Sequence, residues 1–139
     1  MESKICRKCE LEKLKSEFPV AKRNKDGLDS FCKACKLHLN TLYRRNLKRL
    51  ILEGYGGKCS CCGEGRFEFL SIEHLNGKGR EQRKSIGSHT TFYKWVITNG
   101  FPKELTTLCY NCNCSRGFFG YCPHKTESKI KFTDLSKKA

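Results

Sequence analysis

The segment Leu108-Cys-Tyr-Asn-Cys-Asn-Cys-Ser-Arg-Gly117 holds the last of four Cys-x-x-Cys pairs in a chain of 139 residues, and these pairs are the strongest indication of how the chain folds. A two-residue spacer lets one tight turn present two sulfur atoms to the same tetrahedral zinc ion. Four such pairs in a short chain therefore predict two zinc sites. The pairs are Cys6 with Cys9, Cys32 with Cys35, Cys59 with Cys62, and Cys109 with Cys112.

The eight paired cysteines can be divided between two zinc ions in more than one way. Short loops lose less entropy on closure than long ones, which favours joining pairs that are neighbours in the sequence. The spacing does not exclude interleaved pairings. Sequential pairing gives one site from Cys6, Cys9, Cys32 and Cys35 and a second site from Cys59, Cys62, Cys109 and Cys112.

The composition favours metal ligation over disulfide bonding. Hydrophobic residues make up 37% of the chain and charged residues 30%, so a large apolar core is not available to stabilise it. The first residues are polar and lack the apolar run of a secretory signal, and no apolar stretch is long enough to span a bilayer. We therefore expect a soluble cytoplasmic protein with no membrane partner, in which most of the eleven cysteines serve as reduced metal ligands.

The chain is strongly basic, with 28 Lys and Arg against 14 Asp and Glu and a formal charge of +14. The excess is spread along the sequence and does not form a single basic tail. Such a charge costs self-repulsion unless a polyanion relieves it, whereas solubility alone needs much less net charge. Nucleic acid is therefore the predicted partner.

The segment between the two predicted zinc sites, Lys36 to Glu53, contains no Gly or Pro and is predicted to be a helix. Gly54, Gly56 and Gly57 should end it and separate two lobes. Apolar residues at helical spacing should form one face of this helix: Leu39, Tyr43, Leu47 and Leu50. Four basic residues without an acid among them should lie on the other side and contact phosphates: Arg44, Arg45, Lys48 and Arg49.

The region after the third cysteine pair is predicted to form a strand and then helix. Residues 66–74 combine aromatic and branched side chains and should form the strand, followed by a turn at Asn76–Gly79. Residues 81–99 should be helical, with an interruption near Gly87. The apolar residues of this helix are expected in the core rather than stacked on bases: Phe92, Tyr93, Trp95, Val96 and Ile97.

Glu73 and His74 stand at the end of the predicted strand, and Asn113 directly follows Cys112. The second zinc site would therefore hold these two segments side by side. Carboxylate and carboxamide oxygens are ligands suited to Mg²⁺ or Mn²⁺, and an imidazole beside them can accept a proton from water. These are the components of a phosphodiester hydrolase.

Three segments together resemble the HNH, or ββα-metal, endonucleases, and within them the zinc-containing branch found in phages that includes the resolvase endonuclease VII. They are Lys58-Cys-Ser-Cys-Cys-Gly63, Leu70-Ser-Ile-Glu-His-Leu-Asn-Gly77 and the stretch that ends at Gly117. Cys6-Arg-Lys-Cys9 and Phe31-Cys-Lys-Ala-Cys35 are similar to the small zinc module that often precedes such nucleases. The resemblance covers residues 4–124 and is most specific in the second lobe.

The resemblance implies a small α+β fold held by zinc, with a ribbon-like N-terminal lobe and a ββα-metal lobe. The expected divisions are an N-terminal zinc module at 1–38, a basic linking helix at 39–57, the nuclease domain at 58–124 and a basic tail at 125–139. Two structural zinc ions and one catalytic Mg²⁺ or Mn²⁺ ion would be bound. A phage origin would place the protein in the cytoplasm of the host cell.

The resemblance also implies a role for each residue of the site. His74 would be the general base, Glu73 the acidic metal ligand and Asn113 the second metal ligand. The substrate would be DNA, in double-stranded form, and cleavage would leave 5′-phosphate and 3′-hydroxyl ends. The phosphates would be held by the basic residues of the linking helix together with Lys78, Arg80, Arg83, Lys84 and Arg116.

The sequence departs from the family pattern at three places. Glu73 stands where Asp is more common, and its extra methylene shifts the carboxylate. Glu104 occupies the position of the middle asparagine of the family, for which Asn76 or Asn111 could substitute. The helix after Asn113 has to pass two glycines, Gly117 and Gly120, and is expected to be short or irregular.

A second function fits the same charge and cysteine pairs, namely a non-catalytic zinc-ribbon protein that binds nucleic acid, such as a transcription modulator. Only Glu73, His74 and Asn113 separate the two functions. A thiol redox protein fits poorly, since its Cys-x-x-Cys motif opens a helix within a βαβ unit.

Several further residues could bind metal. Cys61 and Cys114 are expected to be small buried or free thiols, although either could replace a zinc ligand. Cys122-Pro-His124 could close another metal site or reach the catalytic centre, but chance proximity is the favoured interpretation. His38 and His89 are expected to be solvated. The sequence does not indicate the oligomeric state.

Overall fold

A computed structural model describes residues 2–127 of the chain, without the side chain of Arg83. These residues form a small mixed α+β protein with two two-stranded sheets and four α-helices, which confirms the expected fold class at this level. The described residues divide into two compact units, the first ending at Asn46 and the second beginning at Leu47. None of the helices within the described range has both the length and the apolar character that crossing a bilayer requires.

The first unit contains an antiparallel hairpin of β1 (Ser3–Ile5) and β2 (Glu12–Leu14), in which Lys4 lies opposite Lys13. The turn between the strands carries the first cysteine pair. The buried core of the first unit is made of Cys6, Phe18 and Cys32, with partly buried neighbours around them. A core this small needs additional cross-linking to be stable, and metal ligation by the cysteines would supply it.

Helix α1 (Lys33–Gly54) begins in the first unit and ends in the second. Its predicted apolar face is partly wrong. Leu47 is buried and Leu39 is half-buried, but Tyr43 and Leu50 are exposed. Ile51 and Leu52 are buried instead, because the last two turns of the helix supply side chains to the cores of the second unit.

The second unit is organised around a second antiparallel pair, β3 (Leu70–His74) and β4 (Leu105–Cys109). Leu70 lies opposite Cys109, and His74 lies opposite Leu105. Strand β3 is therefore shorter than the strand predicted at residues 66–74. Its pairing with β4 begins at Leu70, because Leu70 lies opposite Cys109, the last residue of β4. The preceding residues, Phe67–Phe69, form a 3₁₀ turn instead.

Two helices connect β3 to β4, namely α2 (Gly79–Ile86) and α3 (His89–Thr98). The predicted interruption at Gly87 is confirmed, and this glycine has a φ of 95°. The apolar residues of α3 lie in the core as expected. Phe92 and Val96 are buried together with Ile51 and Leu105, while Tyr93, Trp95 and Ile97 are partly buried against them.

Helix α4 (Tyr110–Phe119) follows β4 without a linker. Cys109 caps its N-terminus, since its Sγ accepts a hydrogen bond from the N–H of Cys112 at 3.5 Å. The helix is short, as expected, with ten residues that end before Gly120, although it continues through Gly117. It ends at Gly120, whose left-handed φ of 75° is typical of a helix C-terminus.

Candidate functional site

The four cysteines of the first unit converge on one point. The sulfur atoms of Cys6, Cys9, Cys32 and Cys35 all lie within 4.8 Å of one another. Burial opposes ionisation of Cys6, but N–H groups of Cys32, Cys9 and Lys8 stabilise the thiolate and lower its pKa to about 6. A cluster of this kind can hold a metal ion such as zinc.

The second unit contains an equivalent cluster, in which the sulfur atoms also lie within 4.8 Å of one another. Its members are Cys59, Cys62, Cys109 and Cys112. Cys62 Sγ and Cys109 Sγ are 3.7 Å apart. Two sulfurs about 2.3 Å from a tetrahedral zinc ion would be separated by about 3.8 Å, so this spacing suits zinc. In both units the clusters therefore correspond to the sequential pairing.

Glu73, His74 and Asn113 line one cavity of about 310 Å³ in the second unit. Glu73 and His74 end β3, and Asn113 lies in α4 directly after Cys112. Since β4 pairs with β3 and continues into α4, the strand pair and the helix bring the two segments together. The same three residues also line a smaller cavity of about 220 Å³ that includes Arg116.

Three neighbours restrict the half-buried ring of His74. The ring atom Nε2 is hydrogen-bonded to Oε1 of Gln82 in α2. The Phe92 ring from α3 lies 5.7 Å from the His74 ring, measured between centroids. Gly79 approaches the Nδ1 side so closely that a Cβ atom there would lie 2.8 Å from Nδ1. The ring therefore has a defined orientation at the wall of the cavity.

Asn113 is oriented by β3. Its Nδ2 donates a hydrogen bond to Ser71 Oγ at 3.5 Å, and Ser71 Oγ donates to the carbonyl oxygen of Leu108 at 3.1 Å. Because the amide nitrogen is used in this way, the amide oxygen is the atom left to bind a cation. Together with the carboxylate of Glu73, it offers the hard oxygen ligands that Mg²⁺ and Mn²⁺ prefer.

Lys48 does not lie on the solvent face of α1 as predicted. It is half-buried, lines the larger cavity, and donates a hydrogen bond to the carbonyl oxygen of Phe67 at 3.2 Å. Its Nζ lies 4.6 Å from the ring centre of Phe67 and 5.8 Å from that of Tyr110. Burial lowers the pKa of Lys48, against a weaker opposing effect of Glu68. The reason is that Lys48 belongs to the turns of α1 that pack into the second unit.

The other predicted phosphate contacts differ in their surroundings. Arg44 and Arg45 are exposed on the part of α1 that belongs to the first unit. Arg49 is exposed and pairs with Glu53 at 2.7 Å. The side chain of Arg83 lies outside the described part of the chain. The exposed members in the second unit are Lys78, Arg80, Lys84 and Arg116.

The candidates for the middle asparagine do not lie together. Asn76 lines a further cavity of about 530 Å³ with His74 and Glu104, whereas Asn111 is exposed at the start of α4. Among the histidines, His38 is exposed. His89 is also exposed, but it lines the cavity of about 310 Å³ and stacks on Tyr93.

Sequence reasoning missed Gln82, Ser71 and Gly79 as neighbours of the candidate site. Gln82 and Gly79 lie in α2, and their contacts with His74 depend on how this helix packs against the end of β3. A glutamine or serine in a polar segment carries no signal of such a contact.

Comparison with known proteins found no relative of this chain. Neither models of protein families nor curated proteins nor solved structures gave a match to the chain. The functional inference therefore rests on the side chains and their geometry.

Proposed function

We propose that this protein is a metal-dependent DNA endonuclease that hydrolyses phosphodiester bonds and leaves 5′-phosphate and 3′-hydroxyl ends. The observation that carries the proposal is the convergence of Glu73, His74 and Asn113 on one cavity. Further support comes from the antiparallel pair of β3 and β4 and from α4, which follows β4 directly and carries a cysteine of the second cluster. These are the two strands and the helix that the ββα-metal resemblance implies, with α2 and α3 inserted between the strands.

His74 acts as the general base in this proposal. Because Oε1 of Gln82 can only accept a hydrogen bond, Nε2 carries the proton and the lone pair of Nδ1 is free to take a proton from water. Only a glycine fits beside this part of the ring, because a Cβ atom at residue 79 would lie 2.8 Å from Nδ1. A positioned base of this kind contributes about 10²- to 10⁴-fold to the rate.

Glu73 and Asn113 hold the divalent cation. When bound, such a cation stabilises the negative charge that develops on the phosphate and on the departing 3′ oxygen. Asn113 presents its amide oxygen because Ser71 engages the amide nitrogen. Glu73 would supply the anionic ligand, and it lines the same two cavities as His74 and Asn113.

Basic side chains orient the DNA backbone. Arg116 lies three residues after Asn113 and therefore on the same side of α4, and it lines the smaller cavity. Lys48 brings a positive charge to the cavity of about 310 Å³. Lys78, Arg80 and Lys84 extend the basic surface of the second unit beyond the two cavities.

The test is nicking of a supercoiled plasmid by zinc-loaded protein in the presence of Mg²⁺ or Mn²⁺. We expect the parent protein to nick the plasmid, and His74→Ala or Asn113→Ala to reduce the rate by about 10²-fold or more. His38→Ala is the matched control and should keep the parent rate, because His38 is exposed in the first unit. DNA ligase should reseal the nicks, since it requires a 5′-phosphate and a 3′-hydroxyl.

A parent protein that binds DNA but leaves the plasmid intact with either metal would contradict the proposal. The protein would then be a non-catalytic nucleic-acid-binding module. Equal nicking by the parent and His74→Ala would also contradict it, because the base would lie elsewhere.

A further inference from the structure

Three potential metal ligands outside the two predicted zinc sites converge on Cys112. The ligand atoms of Cys61, Cys112, Cys122 and His124 all lie within 4.8 Å of one another. Cys61 Sγ lies 3.6 Å from Cys122 Sγ. The Nδ1 atom of His124 lies 3.2 Å from Cys112 Sγ and 3.4 Å from Cys122 Sγ. Four groups of zinc-binding chemistry therefore surround one point.

The distances suit a tetrahedral zinc ion. With bonds of about 2.3 Å to sulfur and about 2.0 Å to nitrogen, neighbouring ligands would be separated by about 3.8 Å for two sulfurs and about 3.5 Å for sulfur and nitrogen. A disulfide is a different arrangement, since its sulfur atoms lie about 2.05 Å apart. All the cysteines of this group are free thiols in the structure.

The group is assembled by three separate segments. Cys61 lies inside the turn of the third cysteine pair, Cys112 lies in α4, and Cys122 lies in the segment that reverses direction after Gly120. Cys61, Cys112 and Cys122 are buried in the same core cluster.

Local hydrogen bonds hold the returning segment. Ser115 Oγ donates to the carbonyl oxygen of Tyr121 at 2.9 Å, and the N–H of Lys125 donates to the carbonyl oxygen of Cys122 at 2.9 Å. The first contact joins the segment to α4, and the second closes a turn around His124. The backbone of the folded segment therefore sets the positions of Cys122 and His124.

We propose that Cys112 bridges two zinc ions in the second unit. One ion would have Cys59, Cys62 and Cys109 as its other ligands, and the second would have Cys61, Cys122 and His124. A thiolate sulfur has enough lone pairs to bind two ions, and each ion then reaches the four ligands of a closed structural site. With the cluster of the first unit, the chain binds three zinc ions, and this inference does not depend on the proposed nuclease function.

The additional ion gives the segment after Gly120 a structural role. It ties Cys122 and His124 to α4 and to the turn that carries Cys61. Because Cys112 is adjacent to Asn113, the two-zinc cluster would also fix the start of α4, where the candidate cation ligand lies.

Native mass spectrometry of the full reduced chain, loaded with zinc and freed of excess metal, tests the stoichiometry. We expect three zinc ions per chain, and a parent protein that holds only two overturns the inference. Substitution of the zinc by ¹¹³Cd tests the bridge. The NMR spectrum should contain three cadmium resonances, of which two are coupled to each other through the shared sulfur, and three uncoupled resonances would overturn the bridging role of Cys112.

Variants locate the additional ion. The double variant Cys122→Ser/His124→Ala should bind two zinc ions, whereas Cys114→Ser should keep all three, because Cys114 is exposed and outside the clusters. His124→Cys should retain three ions, since it replaces one zinc ligand by another. A double variant that still binds three ions would overturn the assignment. The parent measurements decide the inference even if the double variant fails to fold.

Discussion

His74 depends on its neighbours for the role we propose, because a general base must be aimed at its water. Gln82 is hydrogen-bonded to Nε2, Phe92 packs beside the ring, and Gly79 approaches the Nδ1 side so closely that no side chain fits there. None of these three residues carries out chemistry itself. They act by positioning, and a displacement of about 1 Å in such a site can cost about 10²-fold in rate.

Gly79→Ala tests this positioning. A methyl group at residue 79 would lie 2.8 Å from Nδ1 of His74 and 3.3 Å from Cε1, so the ring has to move. Gly79 does not have a positive φ, and the backbone can accept alanine. We expect plasmid nicking to fall by about 10²-fold with unchanged zinc content and far-UV circular dichroism.

Gly65→Ala is the matched control for this substitution, since the nearest atom to its new Cβ would be 4.0 Å away. It should nick the plasmid at the parent rate. Parent-like nicking by Gly79→Ala would show that the orientation of the His74 ring does not limit the reaction.

The end of α1 can pack closely against its neighbours because residue 54 is glycine and has no side chain. Gly54 lies against the ring of Phe101, and this ring makes an edge-to-face contact with Tyr55 at 5.7 Å between centroids. Tyr55 Oη in turn donates a hydrogen bond to the carbonyl oxygen of Pro102 at 2.8 Å. The last turn of α1 and the segment that leads into β4 therefore form one packed group.

Gly54→Ala should destabilise the second unit, because the new Cβ would overlap the Phe101 ring. We expect a loss of about 1–3 kcal/mol in the free energy of unfolding, as is typical of overpacked sites. Chemical denaturation of the zinc-loaded protein measures it. In a Phe101→Ala background the added cost of Gly54→Ala should be close to zero.

Gly117→Ala places a methyl group at a helical position that has free space, unlike Gly54, since nothing lies within 4 Å of the new Cβ. It should leave stability unchanged or raise it by up to about 1 kcal/mol, because alanine is the better helix former. Equal effects of the two substitutions would contradict the packing argument for Gly54.

The whole molecule carries a formal charge of +14, and this charge sets how it should respond to salt. Each phosphate that a basic side chain neutralises releases counterions from the DNA. Affinity then falls with salt concentration even when no base is contacted. The charge therefore predicts binding to any duplex but does not specify the target of cleavage.

Binding to a short duplex should weaken steeply between about 50 and 200 mM salt, with a log–log slope of about −0.9 for each phosphate contact. Fluorescence anisotropy measures this slope. Arg116→Ala should make it shallower by about 0.9, while Arg116→Lys should keep it, because the slope depends on charge and not on side-chain shape. A slope near zero for the parent would contradict DNA as the partner.

The two cysteine clusters could be predicted because the spacing of the cysteine pairs constrains them, whereas the α+β class was implied by the resemblance of the motifs. A Cys-x-x-Cys turn places two sulfurs close together in almost any context, and the interruption at Gly87 follows from the backbone freedom of glycine. The apolar face of α1 could not be predicted well. Which turns of that helix are buried depends on what packs against them, so Ile51 and Leu52 replaced Tyr43 and Leu50.

Residue type and spacing were enough to identify the eight cysteines of the first two clusters, the positive charge, and Glu73, His74 and Asn113 as candidate site residues. These properties are local, because they depend on residue type and on short separations along the chain. Only the tertiary structure decided that Gln82 meets His74, that Lys48 faces a cavity, and that Cys61, Cys122 and His124 surround Cys112. Such contacts join segments far apart in sequence, and they arise only when hairpin, helices and returning chain pack together.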